Sequence, residues 1–150
     1  MMEIRLLQKN ERPPIEILMM AEPNQRVLQQ KFRQSDCFVL LDESNFVGVY
    51  LLLPQEDHCL IDLLIIHPQL DKPGLEKDLL IHAKEATKEK GKSFVRVTTS
   101  NANIDHIEML QKCGYRFYQI DTDFYVRTRN QTAVINDIPV VDQLIFQAKV

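Results

Sequence analysis

The sequence contains no tryptophan, and aromatic residues make up only 7% of its 150 positions. A core built from these residues must therefore be mostly aliphatic. Glycine is also scarce, with only four copies, and the chain has no repeats, low-complexity stretches or linkers. Hydrophobic residues are 45% and charged residues 26%, close to the globular average, so neither a disordered chain nor a membrane protein is indicated. We therefore expect one globular domain over residues 1–150.

An excess of positive charge and long apolar runs are missing as well. The formal net charge is −3 and the isoelectric point is near 5.8, so the chain lacks the basic footprint that nucleic-acid binding requires. No stretch reaches the roughly 18 apolar residues of a membrane span. The first residues, MMEIRLLQKNERPP, lack the apolar core of a signal peptide. These absences predict a cytoplasmic protein that binds neither nucleic acid nor a membrane.

Cysteine is present in three copies, at Cys37, Cys59 and Cys113. An odd number of widely spaced cysteines among apolar neighbours indicates reduced packing residues rather than disulfides or a zinc site. We accordingly expect no bound metal.

The most informative stretch of the chain runs from Leu60 to Gly91. It opens with an almost unbroken apolar run that ends at Ile66, which predicts a strand buried on both faces. A turn follows His67, and Pro73 suits the first position of a helix because it has no N–H to leave unpaired. Leucine and alanine then recur at helical spacing, and Gly91 provides the stop. Such a strand-turn-helix unit can present backbone amides to an anion.

Strands and helices are predicted on both sides of this unit. Before it, the pattern predicts an edge strand at 3–7, helices at 15–21 and after the cap Asn24, and a hairpin of strands 37–41 and 46–53. Gly48 within the hairpin indicates a bulge or a close backbone approach. After the unit, the pattern predicts a strand at 94–98, a helix at 104–110, and strands at 117–126 and 140–146 with a polar break at 128–132 between them. The predicted fold class is α/β (α+β), with a mixed, mostly antiparallel seven-stranded sheet and helices on both faces.

Three motifs of the chain, in this order, match those of one known family. The first runs from Ile66 to Leu80 and matches that family's central strand and pyrophosphate loop. The second is Asn101-Ala102-Asn103 followed by the segment from Met109 to Tyr115. The third, similar to the carboxyl end of a bacterial branch, comprises Asp121 to Tyr125, Ile135 to Ile138 and Asp142. Over nearly all of its length the chain thus resembles the GNAT superfamily of acyl-CoA N-acetyltransferases.

The resemblance implies acetyl-CoA as co-substrate, without a metal. In this family the central strand and the next one splay apart, the pantetheine arm lies between them, and the pyrophosphate lies at the start of the central helix. The cofactor-binding residues that follow from the resemblance are Leu64, Ile65, Ile66, Lys72, Gly74, Leu75, Glu76, Lys77, Asn103 and His106. The implied acceptor is an amine of a small molecule or a protein. A different hypothesis is a structural dimerisation module, in which the last strands pair with those of a second copy to form a homodimer.

The chain departs from the family pattern at the pyrophosphate loop. Asp71 stands where the family has Gln or Arg, and Glu76 stands where it has Gly or Ala. Pro73 also removes one amide donor from the loop. These changes predict weak acetyl-CoA binding or a different acyl carrier, with Lys72 and Lys77 as partial compensation. The alternative is that both acids simply favour the helix N-terminus.

The catalytic candidates are groups that could take a proton from the amine. Asp62 interrupts the apolar run of the central strand, where an unpaired charge is costly. Its alternative role is to point into the gap or to pair with Arg96. His67 is the second candidate, with a solvated turn residue as its alternative. Further candidates are Glu56, Asp57 and His58, at the start of the central strand.

No tyrosine stands where many members have a general acid, because that position is Leu110. Tyr115 occupies a packing position of the motif. No cysteine or serine has a nucleophile's setting, which favours direct attack of a primary amine on acetyl-CoA. Acidic residues in the turns favour a cationic acceptor. The competing hypothesis, favoured by Asp71, Pro73, Glu76 and Leu110, is a binding or regulatory protein that keeps the fold but has lost turnover.

Overall fold

The computed structural model describes residues 2–129 and 133–150. Its strands are β1 (Met2–Leu6), β2 (Asp36–Asp42), β3 (Asn45–Pro54), β4 (His58–Ile66), β5 (Phe94–Ser100), β6 (Arg116–Asp121), β7 (Val134–Ile135), β8 (Ile138–Pro139) and β9 (Gln143–Lys149). Its helices are α1 (Ile15–Ala21), α2 (Gln25–Gln34), α3 (Leu75–Glu89), α4 (Ile104–Lys112) and α5 (Phe124–Thr128).

Seven of the strands form one sheet in the order β1-β2-β3-β4-β5-β9-β6. The pair β4 and β5 is parallel, and the other neighbouring pairs are antiparallel. Helix α3 connects the two parallel strands, because a parallel pair needs a crossover. The predicted fold class, a mostly antiparallel seven-stranded sheet with helices on both faces, is confirmed.

Each face of the sheet has its own apolar core. The larger core packs α3 and α4 against the sheet through residues that include Leu79, Leu80 and Leu110. The smaller core packs α1 and α2 against β2, β3 and β4 through residues that include Leu18, Val49 and Leu63. Cys37, Cys59 and Cys113 are buried free thiols, as their spacing predicted.

Several local predictions are confirmed. The Asn24 side chain caps α2 by accepting hydrogen bonds from the N–H groups of Arg26 and Val27. Gly91 follows the end of α3 with a φ of +74°. Gly48 lies next to a bulge in β3, and a Cβ atom at this position would lie 3.1 Å from the Ile65 carbonyl oxygen. Glycine is therefore needed where β3 and β4 approach each other.

The predicted start of the central helix is wrong by two residues. Helix α3 begins at Leu75, and Gly74 precedes it with a φ of +92°. This left-handed conformation, which glycine adopts without steric cost, turns the chain from the loop into the helix. Pro73 therefore lies in the loop rather than at the first helical position.

The predicted strands at 117–126 and 140–146 also need correction. Strand β6 ends at Asp121, and the left-handed Asp123, with φ of +60°, leads into helix α5. The Asp142 carboxylate accepts a hydrogen bond from the Asp123 N–H and so stabilises this turn. Strand β9 begins only at Gln143. The N–H groups of residues 141 and 142 donate hydrogen bonds to the Asn101 side chain and not to a neighbouring strand. The predicted polar break at 128–132 lies mainly outside the described residues.

A short hairpin of β7 and β8 was not predicted. Asn136 and Asp137 form its turn, both with positive φ, as a two-residue hairpin requires. The Asn136 amide donates a hydrogen bond to the Ala102 carbonyl at 3.1 Å, which holds the hairpin against the end of β5.

Strand β1 is tied to the following loop by an ion pair, which provides a pH-dependent test of the fold. Arg5 donates hydrogen bonds of 2.6 and 2.8 Å to the Glu11 carboxylate, and the Gln8 N–H adds a third. The hydrogen bonds from Arg5 are the largest cause that lowers the pKa of Glu11, from 4.5 to about 2. The pair therefore stabilises the fold fully above pH 4.5, and this contribution is lost as the pH falls toward 2.

We predict that Glu11→Gln lowers the urea midpoint of unfolding at pH 7, and that the difference from the parent shrinks at pH 3, because Glu11 with its ordinary pKa of 4.5 is then protonated in the unfolded chain, which favours unfolding of the parent. Circular dichroism measures both midpoints. Glu85→Gln, on the exposed side of α3, is the control for loss of one negative charge. An equal difference at both pH values would contradict the role given to the Glu11 carboxylate.

Candidate functional site

Strands β4 and β5 pair over only part of their length. The paired residues run from His58 to Ile61 on β4 and from Phe94 to Val97 on β5. Beyond them, within the part of the chain that the structure describes, β4 continues to Ile66 with β3 as its only paired strand, and β5 continues to Ser100 with β9 as its only paired strand. A gap therefore opens between the two strands toward their carboxyl ends.

Backbone groups of β4 line this gap. The His67 N–H donates a hydrogen bond of 2.8 Å to the Val47 carbonyl of β3. Since backbone groups alternate in direction along a strand, Ile65 also directs its groups to β3, and Leu64 and Ile66 direct theirs into the gap. The side chain of Ile65 packs in the core beneath α1 and α2, whereas those of Leu64 and Ile66 pack in the core beneath α3 and α4.

The start of α3 lies at the open end of the gap. The Leu75 N–H donates to the Lys72 carbonyl at 3.3 Å, and the Asp78 N–H donates to the Gly74 carbonyl. The N–H groups of Glu76 and Lys77 remain at the helix terminus, where the helix dipole favours an anion. Around Gly74, a Cβ atom would find no neighbour within 4 Å, so this position is open. The side chains of Lys72 and Lys77 are exposed.

Glu76 and His106 form an ion-pair geometry across the open end of the gap. One Glu76 carboxylate oxygen lies 2.9 Å from His106 Nε2, and His106 Nδ1 lies 2.9 Å from the Thr99 hydroxyl. These contacts join the first turn of α3, helix α4 and the end of β5. The acid that replaces a small residue in the loop thus has a partner of its own, which the sequence did not indicate.

A cavity of about 290 Å³ lies beside this network at the end of β5. Both Asn103 and His106 line it, which brings together two of the predicted cofactor-binding residues. Tyr125 and Arg129 also line it, with the Arg129 guanidinium 4.7 Å from the Tyr125 ring centre. Neither residue was predicted as part of the site, because the sequence pattern indicated a strand where α5 lies.

Asp62 occupies a bulge in β4. The residues on either side of it pair with β3, since Ile61 faces Leu52 and Leu63 faces Leu51, and Asp62 is left without a partner strand residue. Ile61 packs in the larger core and Leu63 in the smaller. The bulge therefore directs Asp62 to the face of the sheet that carries α1 and α2.

The partner of Asp62 is Lys31 of α2. Its ammonium nitrogen lies 3.7 Å from the Asp62 carboxylate and donates a hydrogen bond of 3.3 Å to the Asp62 carbonyl. The Asp62 side chain is 19% exposed. The alternative of a pair with Arg96 is wrong, because Arg96 lies opposite Leu60 in the register of β4 and β5.

The structure does not bring His67 together with Asp62. His67 lies just beyond the end of β4, at a distance of roughly 16 Å along an extended strand. Its Nδ1 accepts a hydrogen bond of 3.2 Å from the Gln69 N–H, and its carbonyl accepts one from the Leu70 N–H. These contacts are those of a turn residue.

Tyr115, at the end of the second motif, and Tyr118, just beyond it, differ in environment. Tyr115 is buried, its hydroxyl donates a hydrogen bond of 2.8 Å to the Leu80 carbonyl, and burial raises its pKa. Tyr118 is exposed on β6 and lies over the Arg96 guanidinium at 4.3 Å. Leu110 is fully buried. The position of the family's usual acid therefore supplies no proton donor.

Within residues 2–129 and 133–150, no three His, Cys, Asp or Glu side chains are grouped to hold a metal ion. No helix in these two ranges combines the length and apolar character of a membrane span.

Known proteins of similar sequence and structure identify the family. Residues 4–115 match the Acetyltransferase (GNAT) family. The chain is 27% identical over 130 residues to the uncharacterized N-acetyltransferase YvbK of Bacillus subtilis, which covers 86% of this chain and 84% of YvbK.

Solved structures agree with this assignment. An acetyltransferase of Bacillus subtilis in complex with CoA has a TM-score of 0.93 at 24% identity and covers 100% of this chain and 99% of its own. A GNAT family acetyltransferase of Elizabethkingia anophelis with acetyl-CoA bound has a TM-score of 0.91 at 18% identity, over 99% and 98% of the two chains. The family predicted from the three sequence motifs is confirmed. The chain therefore belongs to the GNAT acetyltransferases, a family of enzymes that use acetyl-CoA as co-substrate.

Proposed function

We propose that this chain is an N-acetyltransferase that transfers the acetyl group of acetyl-CoA directly to the primary amine of a small molecule or protein. The observation that carries the proposal is the gap between β4 and β5, into which Leu64 and Ile66 direct backbone groups. An extended pantetheine arm has amide groups that can pair with such an edge. The bound CoA and acetyl-CoA of the two solved relatives support this use of the gap.

The residues around the gap fit the remaining parts of the coenzyme. The N–H groups of Glu76 and Lys77, at the start of α3, suit the pyrophosphate, and Gly74 allows close approach of its backbone. Lys72 and Lys77 add positive charge. Leu75 anchors the helix start in the core, and Ile65 holds β4 against β3. On the opposite side, Asn103 and His106 border the gap from α4.

Asp62 is the proposed general base. Alkylamines have a pKa near 10 and are almost wholly protonated at pH 7, so a proton must leave before attack. Asp62 is partly exposed, and Lys31 fixes its position on the face that carries α1 and α2. His67, just beyond the end of β4, is the weaker candidate because its ring nitrogen accepts a hydrogen bond within a turn. Acetyl-CoA supplies the activated acetyl group as a thioester.

The enzyme proposed here is a single domain that works in the cytoplasm as a homodimer. The main sheet runs from Met2 to Lys149, which supports one acetyltransferase domain over residues 1–150. Three free buried thiols suit the reducing cytoplasm. Strand β6 is an edge of the sheet with exposed Phe117 and Ile120, which supports a homodimer formed through this strand.

The placement of the coenzyme predicts that Gly74→Val abolishes acetyl-CoA binding. A branched side chain would fill the open position at the start of α3 and strain its left-handed backbone. The matched control is Gly91→Val, because Gly91 also has a positive φ with no neighbour within 4 Å but lies at the opposite end of α3. Isothermal titration calorimetry measures the affinity of both variants, and thermal unfolding compares their stability.

If Gly74→Val and Gly91→Val bind acetyl-CoA equally well, the coenzyme does not lie at the start of α3. If the parent protein fails to bind acetyl-CoA at millimolar concentration, the competing hypothesis of a binding or regulatory protein takes its place.

Glu76 gives a prediction whose sign is informative. We expect Glu76→Gln to tighten the binding of coenzyme A about fivefold, because removing a like charge from a partly solvated site contributes on the order of 1 kcal/mol. Calorimetry at low ionic strength measures the change, with Glu85→Gln as the control. Weaker binding would mean that the pair of Glu76 with His106 supports the site rather than repelling the coenzyme.

The choice of base predicts that Asp62→Asn lowers kcat about a hundredfold, the typical contribution of a positioned proton acceptor. Tyr115→Phe and Tyr118→Phe should keep most of the parent turnover, since neither hydroxyl is assigned to the reaction. A thiol-release assay with a primary amine measures all three. A hundredfold loss in a tyrosine variant together with an active Asp62→Asn would reverse the assignment.

A further inference from the structure

One half of the sheet face that carries α1 and α2 is not covered by these helices. On β5 and β9, alternate residues such as Val95, Val97 and Phe146 are buried in the core beneath α3 and α4. Their neighbours along the strands therefore face the opposite side. We call these half-exposed residues, together with two of β4, the open strip; its members are Leu60, Asp62, Arg96, Thr98, Ile145 and Gln147.

Arg96 is held at the centre of the open strip. Its Nε donates a hydrogen bond of 2.7 Å to the Gln147 side chain, and its guanidinium lies 4.3 Å from the Tyr118 ring centre. Its Nη1 lies 3.5 Å from His58 Nε2. The plane of the guanidinium is thereby fixed by Gln147, Tyr118 and His58, side chains from three other strands of the sheet.

No carboxylate among the residues that the structure describes forms an ion pair with Arg96. The acid closest in this network is Asp57, which bonds to His58 Nδ1 at 2.8 Å and is separated from Arg96 by the imidazole ring. A guanidinium has five N–H donors in a planar fork that matches a carboxylate. Gln147 and His58 engage two of its nitrogens, so donors remain for an anion from outside the chain.

Arg96 shares its face of the sheet with the proposed base. It lies opposite Leu60, and Asp62 comes two residues later on β4, about 7 Å further along the strand. The bulge directs Asp62 to the same face. A proton acceptor and an anion-binding fork thus lie within the span of one small molecule, and Arg116, exposed on β6 opposite Gln147, adds positive charge nearby.

We propose that the acceptor of this enzyme is an amino carboxylate, whose carboxylate binds Arg96 while its amine lies beside Asp62. This inference rests on the proposed acetyltransferase function and specifies its substrate class. In the reaction, Asp62 takes one proton from the acceptor's ammonium group, and the amine nitrogen then forms a bond to the acetyl carbon as the carbon–sulfur bond breaks. The second nitrogen proton passes through water to the departing thiolate, Asp62 releases its proton to solvent, and the acceptor carboxylate is unchanged. Tyr118 acts as a positioning residue that holds the guanidinium plane.

The test uses matched pairs of acceptors, namely amino acids and the amines that have the same side chain but no carboxylate. With the parent enzyme we expect kcat/KM to be at least about tenfold higher for the amino acid of a pair, as a charge-assisted bidentate contact allows. Arg96→Gln should bring this ratio close to one, mainly through KM for the amino acid. Arg26→Gln, an exposed cation of α2, is the control and should retain the parent ratio.

A binding measurement makes the test independent of turnover. Calorimetry with CoA present should detect amino-acid binding to the parent and at least a tenfold loss in Arg96→Gln, while thermal unfolding confirms that the variant is folded. Absence of binding to the parent, or equal binding to both proteins, would overturn the assignment of Arg96. If acetyl-CoA binds and bare amines are acetylated as well as amino acids, the inference fails while the proposed function stands. If acetyl-CoA does not bind, the proposed function fails first.

Discussion

The incomplete pairing of β4 with β5 is the constraint on which the site depends. Parallel pairing ends at Ile61 and Val97, and the bulge at Asp62 follows immediately on β4. A bulge adds one residue to a strand and increases its local twist. The bulge therefore lies where β4 and β5 separate and where the backbone groups of β4 beyond Ile61 lose their partners on β5. It also directs Asp62 to the face of the sheet opposite α3 and α4. The coenzyme slot and the proposed base are consequences of the same local irregularity.

Two acids of the candidate site have partners that are distant in the sequence. Glu76 would place a carboxylate beside an anion site, but His106 lies within 2.9 Å of it and is itself fixed by Thr99. On the other face, Lys31 pairs with Asp62 across 31 residues of sequence. Such long-range partners change what a charged residue does, and they explain why the loop acids alone are a poor guide to activity.

The sequence predicted most of the fold because hydrophobic periodicity is a local signal. The apolar run that ends at Ile66 was interpreted correctly for this reason. The cap Asn24 was also predicted, because its side chain bonds to residues two and three positions later. Helix α5 could not be found in this way, since its residues Phe124 and Tyr125 favour strands and the turn before it depends on the distant Asp142. The partner of Asp62 was also missed, because Lys31 lies on a helix 31 residues earlier in the chain, and no local pattern shows that this helix packs over β4.

The division of the apolar contacts into two unequal cores has a consequence for how such a protein diverges. The proposed coenzyme slot is held by the larger core, through α3 and α4, whereas the face proposed to receive the acceptor is covered in part by α1, α2 and the smaller core. Substitutions in α1, α2 or the open strip leave the packing of α3 intact. Acceptor recognition can therefore drift from one relative to another over evolutionary time while the coenzyme half of the molecule keeps its shape.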